Sequence, residues 1–165
     1  MATKQEIIAA IRQGQERVRA TFGQLSEEQL AARVHDDEGD RWSAKGVLAH
    51  LAGRAAGYAR VMQPAQGQPP PAPPGGRFDV NEWNRQQVEQ RIDRPSAELL
   101  REFEQVHDDL IRQVEALPDE ALDRAVSLPS GERPLGEVLM MSGGTHSVNH
   151  TATVEQALGL PGPGR

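Results

Sequence analysis

Cysteine is missing from all 165 residues. That excludes disulfide frameworks, thiolate metal sites, iron–sulfur ligation and thiol nucleophiles, so any metal must be held by imidazole or carboxylate. Aromatic residues make up only 4% of the chain, while Ala, Leu, Gln, Glu and Arg are plentiful, a balance that favours helix over strand. No run approaches the roughly 20 apolar residues that span a bilayer. The opening MATKQEIIAAIRQGQERVRA mixes charged and apolar residues where a signal peptide would carry an apolar core. The expectation is a cytoplasmic protein with no membrane partner. A basic stripe is also lacking: the formal net charge is -6, and binding a polyanion needs clustered Lys and Arg that release counterions. Nucleic acid is therefore not an expected partner.

A chain of this length falls in the size range of one domain and can bury a core without covalent staples. We expect a single domain over residues 1–160 and a flexible tail over 161–165. Thr3 precedes a helix from about Lys4 to Phe22, with Ile7, Ile8, Ile11, Val18 and Phe22 at helical spacing. Ser26 with Glu28 or Gln29 caps a short connecting helix ending near Arg33, and HDDEGD (35–40) reads as a solvated loop. Ser43 caps a second long helix, Ala44 to about Met62, with Val47, Leu51, Tyr58 and Val61 on one face. PAQGQPPPAPPGG (64–76) cannot continue it and reads as a polyproline-like linker. A short helix over 81–91 carries Trp83. Ser96 opens a third long helix whose seam is Leu99, Phe103, Val106, Leu110, Val114 and Leu117. After Pro118 and the loop SLPSGERP, a last helix runs from about Leu135 to Leu158, with Gly159 and Pro161 as stop signals. No repeat of fixed period is evident. Four long amphipathic segments with crossover-length connections predict an all-α four-helix bundle.

Three of the five histidines carry the chemical interest. In GGTHSVNHTATVEQ, His146 and His150 are four residues apart, so on a helix both rings leave one face with Cβ atoms about 6 Å apart. Such a pair suits a metal ion, and it also suits a solvated helix face or two satisfied core residues. His50 lies inside another long helix among Leu48, Ala49 and Leu51, where an imidazole without a partner is costly to bury. Three neutral imidazoles from two helices form a facial ligand set that leaves positions open for water or substrate, as catalytic sites do. Gly53 and Gly57 follow His50, and Gly143 and Gly144 precede His146. Glycine inside a helix costs about 1 kcal/mol relative to alanine, so these positions mark either a close approach of two backbones or a kinked, flexible start to the histidine-bearing half.

The segments holding these residues resemble a known family. WSAKGVLAHLAGRAAGY is similar to the second-helix signature of the DinB-like superfamily: a tryptophan, a capping residue and a helical histidine. GGTHSVNHTATVEQAL resembles its fourth-helix signature, two histidines separated by three residues. NEWNRQQVEQR and PSAELLREFEQVHDDLIRQVEALPDEAL resemble the third-helix region of DfsB and ClbS-like members and of the N-terminal domain of mycothiol-dependent maleylpyruvate isomerases. The resemblance implies an up-up-down-down four-helix bundle with short connecting helices. It also implies a divalent metal ion on His50, His146 and His150, nickel or zinc ahead of iron or manganese, and homodimers. Activities in the family include transfer or isomerisation with a low-molecular-weight thiol as cosubstrate and, in the ClbS-like branch, hydrolysis; the expected substrate is a small molecule.

Arg54, one helical turn beyond His50, is the candidate for holding an anionic substrate at the metal, against the plainer reading of a stem laid on the bundle with its head in water. Trp83 is expected to fill the core, ahead of closing with Asn84 and Arg85 over the open end of the bundle; His107 to flank or face the surface, ahead of standing as a partner behind the metal ligands; and Glu155 to lie off the ligand face. No Ser–His–acid arrangement, phosphate loop or dinucleotide fingerprint supports another enzyme class. Three readings remain: a metal-dependent transferase, isomerase or hydrolase; a non-catalytic, metal-anchored binding protein for stress or detoxification; and a structural bundle with remnant histidines.

Overall fold

The computed structural model describes residues 2–37, 40–65, 79–128 and 131–162. Residues 66–76 of the expected linker and the end of the tail lie outside these. Thr3 caps α1 (Lys4–Phe22) through a capping box: its hydroxyl accepts from the Glu6 amide and the Glu6 carboxylate accepts from the Thr3 amide. Ser26 and Gln29 repeat the device at α2 (Glu27–Ala31). At the start of α3 (Ala44–Ala52), the Ser43 hydroxyl lies 3.1 Å from the Gly46 amide nitrogen and accepts from it.

The expected second long helix is interrupted. α3 stops at Gly53, and α4 (Ala55–Ala65) restarts from Arg54, whose carbonyl accepts from the Tyr58 amide. Opposite the break, α5 (Val80–Glu89) lies so close that a Cβ on Gly53 would come 2.9 Å from the Gln87 Cβ. α6 (Ser96–Ala116) begins with Ser96 as its first residue, not its cap. Leu99, Phe103, Leu110 and Val114 are buried as the periodicity predicts, but His107, not Val106, completes the interior stripe.

The last segment is not one helix either. α7 (Leu135–Leu139) passes into a π-helical turn (Met140–Thr145) and then α8 (His146–Ala157). Both readings of its glycine pair hold. The helix is irregular there, and it also lies hard against α1: a Cβ on Gly144 would come 2.7 Å from that of Ala10, and one on Gly143 2.9 Å from the Ile11 side chain.

Two segments read as loops form short antiparallel hairpins. β1 (Arg33–Asp37) pairs with β2 (Asp40–Ser43), and β3 (Ala125–Leu128) with β4 (Gly131–Pro134). Their polar composition hid them, because each is closed by backbone bonds at its base: the Ala44 amide donates to the Ala32 carbonyl at 2.9 Å and the Leu135 amide to Arg124 at 2.8 Å. Val34 and Trp42 anchor the first hairpin in the core. Gly131, the first residue of β4, has φ of 113°, a conformation that favours glycine.

The element order is thus used twice. A long helix, a short helical turn, a hairpin and a broken long helix run through α1–α2–β1–β2–α3–α4, and again through α6, a 3₁₀ turn (Asp119–Asp123), β3, β4, α7 and α8. α1 packs on α6 and α8, and α3 packs on the same two, giving a four-helix bundle. Its interior falls into two apolar clusters. One holds Ile7, Ile11, Met62, Leu110, Val114 and Leu139, the other Val18, Phe22, Leu48, Leu51, Phe103 and Val154. Among the described residues no helix is long and apolar enough to cross a membrane.

The glycines give a paired test. Gly144→Ala must push Ala10, including its backbone, and should lower unfolding free energy by about 1–3 kcal/mol. Gly57→Ala, in α4 with open space around it, should raise it by roughly 0.5–1 kcal/mol through helix propensity. Urea denaturation of both variants checks the sign of each.

Candidate metal centre

Between the residues of the two apolar clusters, three of the long segments carry buried or partly buried polar residues. α1 passes from Ile11 through Gln15 to Val18, α6 from Phe103 through His107 to Leu110, and the last segment from Leu139 through His146 and His150 to Val154. In this layer the Nε2 atoms of His50 and His146 are 2.9 Å apart. One nitrogen from each of His50, His146 and His150 lies within 4.8 Å of the other two. His50 is buried, with the Trp42 ring 4.9 Å from its own, whereas His146 and His150 are partly exposed. The sequence expectation that these three meet is thus met in space.

The donor set fits a divalent ion of intermediate softness. Burial, followed by the Arg54 charge and the neighbouring rings, holds the His146 pKa well below the ordinary histidine value, so its ring is neutral near pH 7 and offers a lone pair. His50, His146 and His150 would be the residues to hold such an ion, each offering one ring nitrogen. No carboxylate joins the group among the described residues. Glu155 is occupied elsewhere: it accepts from Arg17 at 2.6 Å and from the Thr21 hydroxyl at 2.7 Å, bolting α8 to α1. Those partners lower its pKa, Arg17 most.

Behind the triad lies a chain that the sequence reading missed. His107 Nδ1 is 2.8 Å from the Phe103 carbonyl, its Nε2 is 2.9 Å from the Tyr58 hydroxyl, and that hydroxyl donates to the Ser142 carbonyl of the π turn at 2.9 Å. A carbonyl only accepts, so Nδ1 carries the proton of the neutral ring and Nε2 is an acceptor. The single Tyr58 proton then has two acceptors and serves one at a time. His107 is fully buried, not a surface residue; the spacing Leu99, Phe103, His107, Leu110, Val114 already carried that signal. Burial pushes its pKa down to about 4, with Arg54 adding to the effect. Arg54 faces inward, its guanidinium carbon 5.4 Å from the Tyr58 ring centroid, which sets aside the solvent-facing alternative. Trp83 is partly buried on α5, where Gln87 and Val88 are the buried residues, and it stands outside the two apolar clusters, so it is not the core filler expected.

A pH dependence follows. In the unfolded chain a histidine titrates near 6.5, and His107 in the fold near 4, so between these values the unfolded state binds more protons. Stability is present in full above 6.5 and is lost as pH falls toward 4, by about 3 kcal/mol from this residue. Metal-free protein carrying His107→Leu should show a flatter stability profile over this window in urea titrations; a profile as steep as wild type would refute the assignment.

The chain matches the DinB superfamily model over residues 3–154. Among solved structures it is similar to the mycothiol-dependent maleylpyruvate isomerase, at 16% identity and TM-score 0.73, covering 93% of this chain but 63% of that one. It is similar to YfiT from Bacillus subtilis, described as a probable metal-dependent hydrolase with an unusual four-helix bundle topology, at 18% identity and TM-score 0.73 over 96% and 89% of the two chains. It is also similar to the colibactin self-resistance protein ClbS, solved in complex with double-stranded DNA, at 15% identity and TM-score 0.73 over 98% and 99%. At such identities the likeness is one of fold. The ClbS complex shows that this fold does not itself exclude DNA; the expectation of no nucleic-acid partner rests on charge alone. No curated protein matches the chain by sequence. With the family match spanning the four long segments and the bundle shared with these structures, the chain belongs to the DinB superfamily.

Proposed function

We propose that this chain is a single-domain, cytoplasmic, metal-dependent enzyme acting on a small molecule, as a thiol-dependent transferase or isomerase or as a hydrolase. His50, His146 and His150 are its protein ligands to one divalent ion, and two copies form a homodimer. The observation that carries the reading is the convergence of three imidazole nitrogens, from two helices, within 4.8 Å of one another. Nickel or zinc suits three imidazoles best, with iron or manganese next.

When bound, such an ion lowers the pKa of a water or thiol on it, so that a nucleophile forms near neutral pH. A chain with no cysteine then needs no nucleophile of its own. Its residues do the positioning: Trp42 covers one face of His50, and Tyr58, backed by His107, holds the π turn from which His146 projects. The partial exposure of His146 and His150 leaves a side from which a substrate can arrive, which favours catalysis over a closed structural site.

Elemental mass spectrometry of untagged protein should find about one nickel, zinc, iron or manganese per chain, and the His50→Ala/His146→Ala double variant should lose nearly all of it. Thiol-transfer and hydrolase screens on the loaded protein then separate an enzyme from a protein that only sequesters its ligand. Failure to take up any of these ions, even after incubation, would overturn the proposal.

A further inference from the structure

Arg54 stands apart from the other inward-facing arginines. Arg17 is matched by Glu155 and Arg91 by Glu102, at 2.6 and 3.0 Å, whereas Arg54 forms no ion pair among the described residues. Its Nε is buried and has no hydrogen-bond partner. What it faces is the Tyr58 ring, at 5.4 Å. A cation–π contact offsets only part of the cost of taking a guanidinium out of water, and the remainder calls for an anion. The orphaned atom identifies the edge: Nε with its adjacent Nη presents two parallel N–H groups, the geometry that takes a carboxylate in a bidentate pair.

We propose that the Nε edge of Arg54 seats a carboxylate of the substrate, so that the site takes a small carboxylate-bearing molecule whose other end reaches the ion on the three histidines. This rests on the triad being a metal site and adds the class of molecule it serves. Arg54 sits at the break between α3 and α4, one turn from His50. The break thus puts a histidine and a cation on the same side of the polar layer, and the substrate spans from one to the other.

Cobalt(II)-loaded protein provides the test, because a thiolate on cobalt has a strong absorption band. The probes are thioglycolate and 3-mercaptopropionate, each compared with its amide. The carboxylates should bind wild type about tenfold or more tighter than Arg54→Gln, while the amides bind both proteins alike, and cobalt content should be the same in the two. Equal carboxylate affinity in wild type and Arg54→Gln overturns the proposal but leaves the metal reading intact. Failure of wild type to bind cobalt overturns both, and is distinguishable because no band forms with any probe. Should Arg54→Gln not fold, Arg54→Lys keeps the charge and loses the paired N–H edge: carboxylate binding weakened several-fold with amide binding unchanged supports the assignment, and unchanged carboxylate binding overturns it.

Discussion

The structure depends on one constraint: a band of imidazoles must be kept neutral and partnered in the middle of an otherwise apolar bundle. A buried polar group left without a partner costs about 1–3 kcal/mol, and four histidines lie in or at the edge of the same layer. The solution is to make the groups satisfy one another. His107 has a carbonyl on one nitrogen and a phenol on the other, and His50 and His146 share a contact. Burial between the apolar clusters depresses the basicity of His107 and His146. The property that makes the layer costly is the one that leaves free lone pairs near neutral pH.

The backbone irregularities of the long segments fall at this layer. α3 ends at Gly53, and the break aims Arg54 inward; the π turn at Met140–Thr145 precedes the two histidines of α8. π turns concentrate at functional sites because they change which face of a helix looks inward. Here the Ser142 carbonyl is taken up by Tyr58, and close contact with α1 is possible only because Gly143 and Gly144 have no side chains. Remote supports serve the same layer: α5 presses on the break through Gln87, and the first hairpin delivers Trp42 to the His50 ring.

Much of this was legible from residues. The cap at Thr3, the capping box at Ser26, the apolar stripes of α1 and α6, and the His146–His150 pair follow from spacing, because each is a local or helical-period signal, whereas the meeting of His50 with that pair was expected from its apolar neighbours and from the family resemblance. What escaped was set by tertiary contact. The hairpins at Arg33–Ser43 and Ala125–Pro134 have few strand formers, and they are held by backbone pairing and closing bonds at their bases. The break at Gly53 faces a helix that arrives about 30 residues later in sequence. His107 was misread because polarity was given more weight than position: its spacing placed it inside, and its partner Tyr58 is 49 residues away. The doubled element order leaves no sequence period because the halves match in element type, not in residues.

The π turn also accounts for the exposure of the two histidines of α8. From Leu135 and Leu139, an uninterrupted helix with 3.6 residues per turn would carry its buried face onward through positions near 142, 146, 150 and 153. The observed buried positions are Gly143, Gly144, Ser147, Thr151, Val154 and Glu155, a shift of one residue or more, or roughly 100° about the axis. His146 and His150 are thereby moved from the centre of the buried face to its edge. At the centre they would be sealed in the core, able to hold an ion but closed to anything else. At the edge they still meet His50 and remain within reach of solvent. The extra residue in that turn is what leaves the two rings partly exposed beside His50.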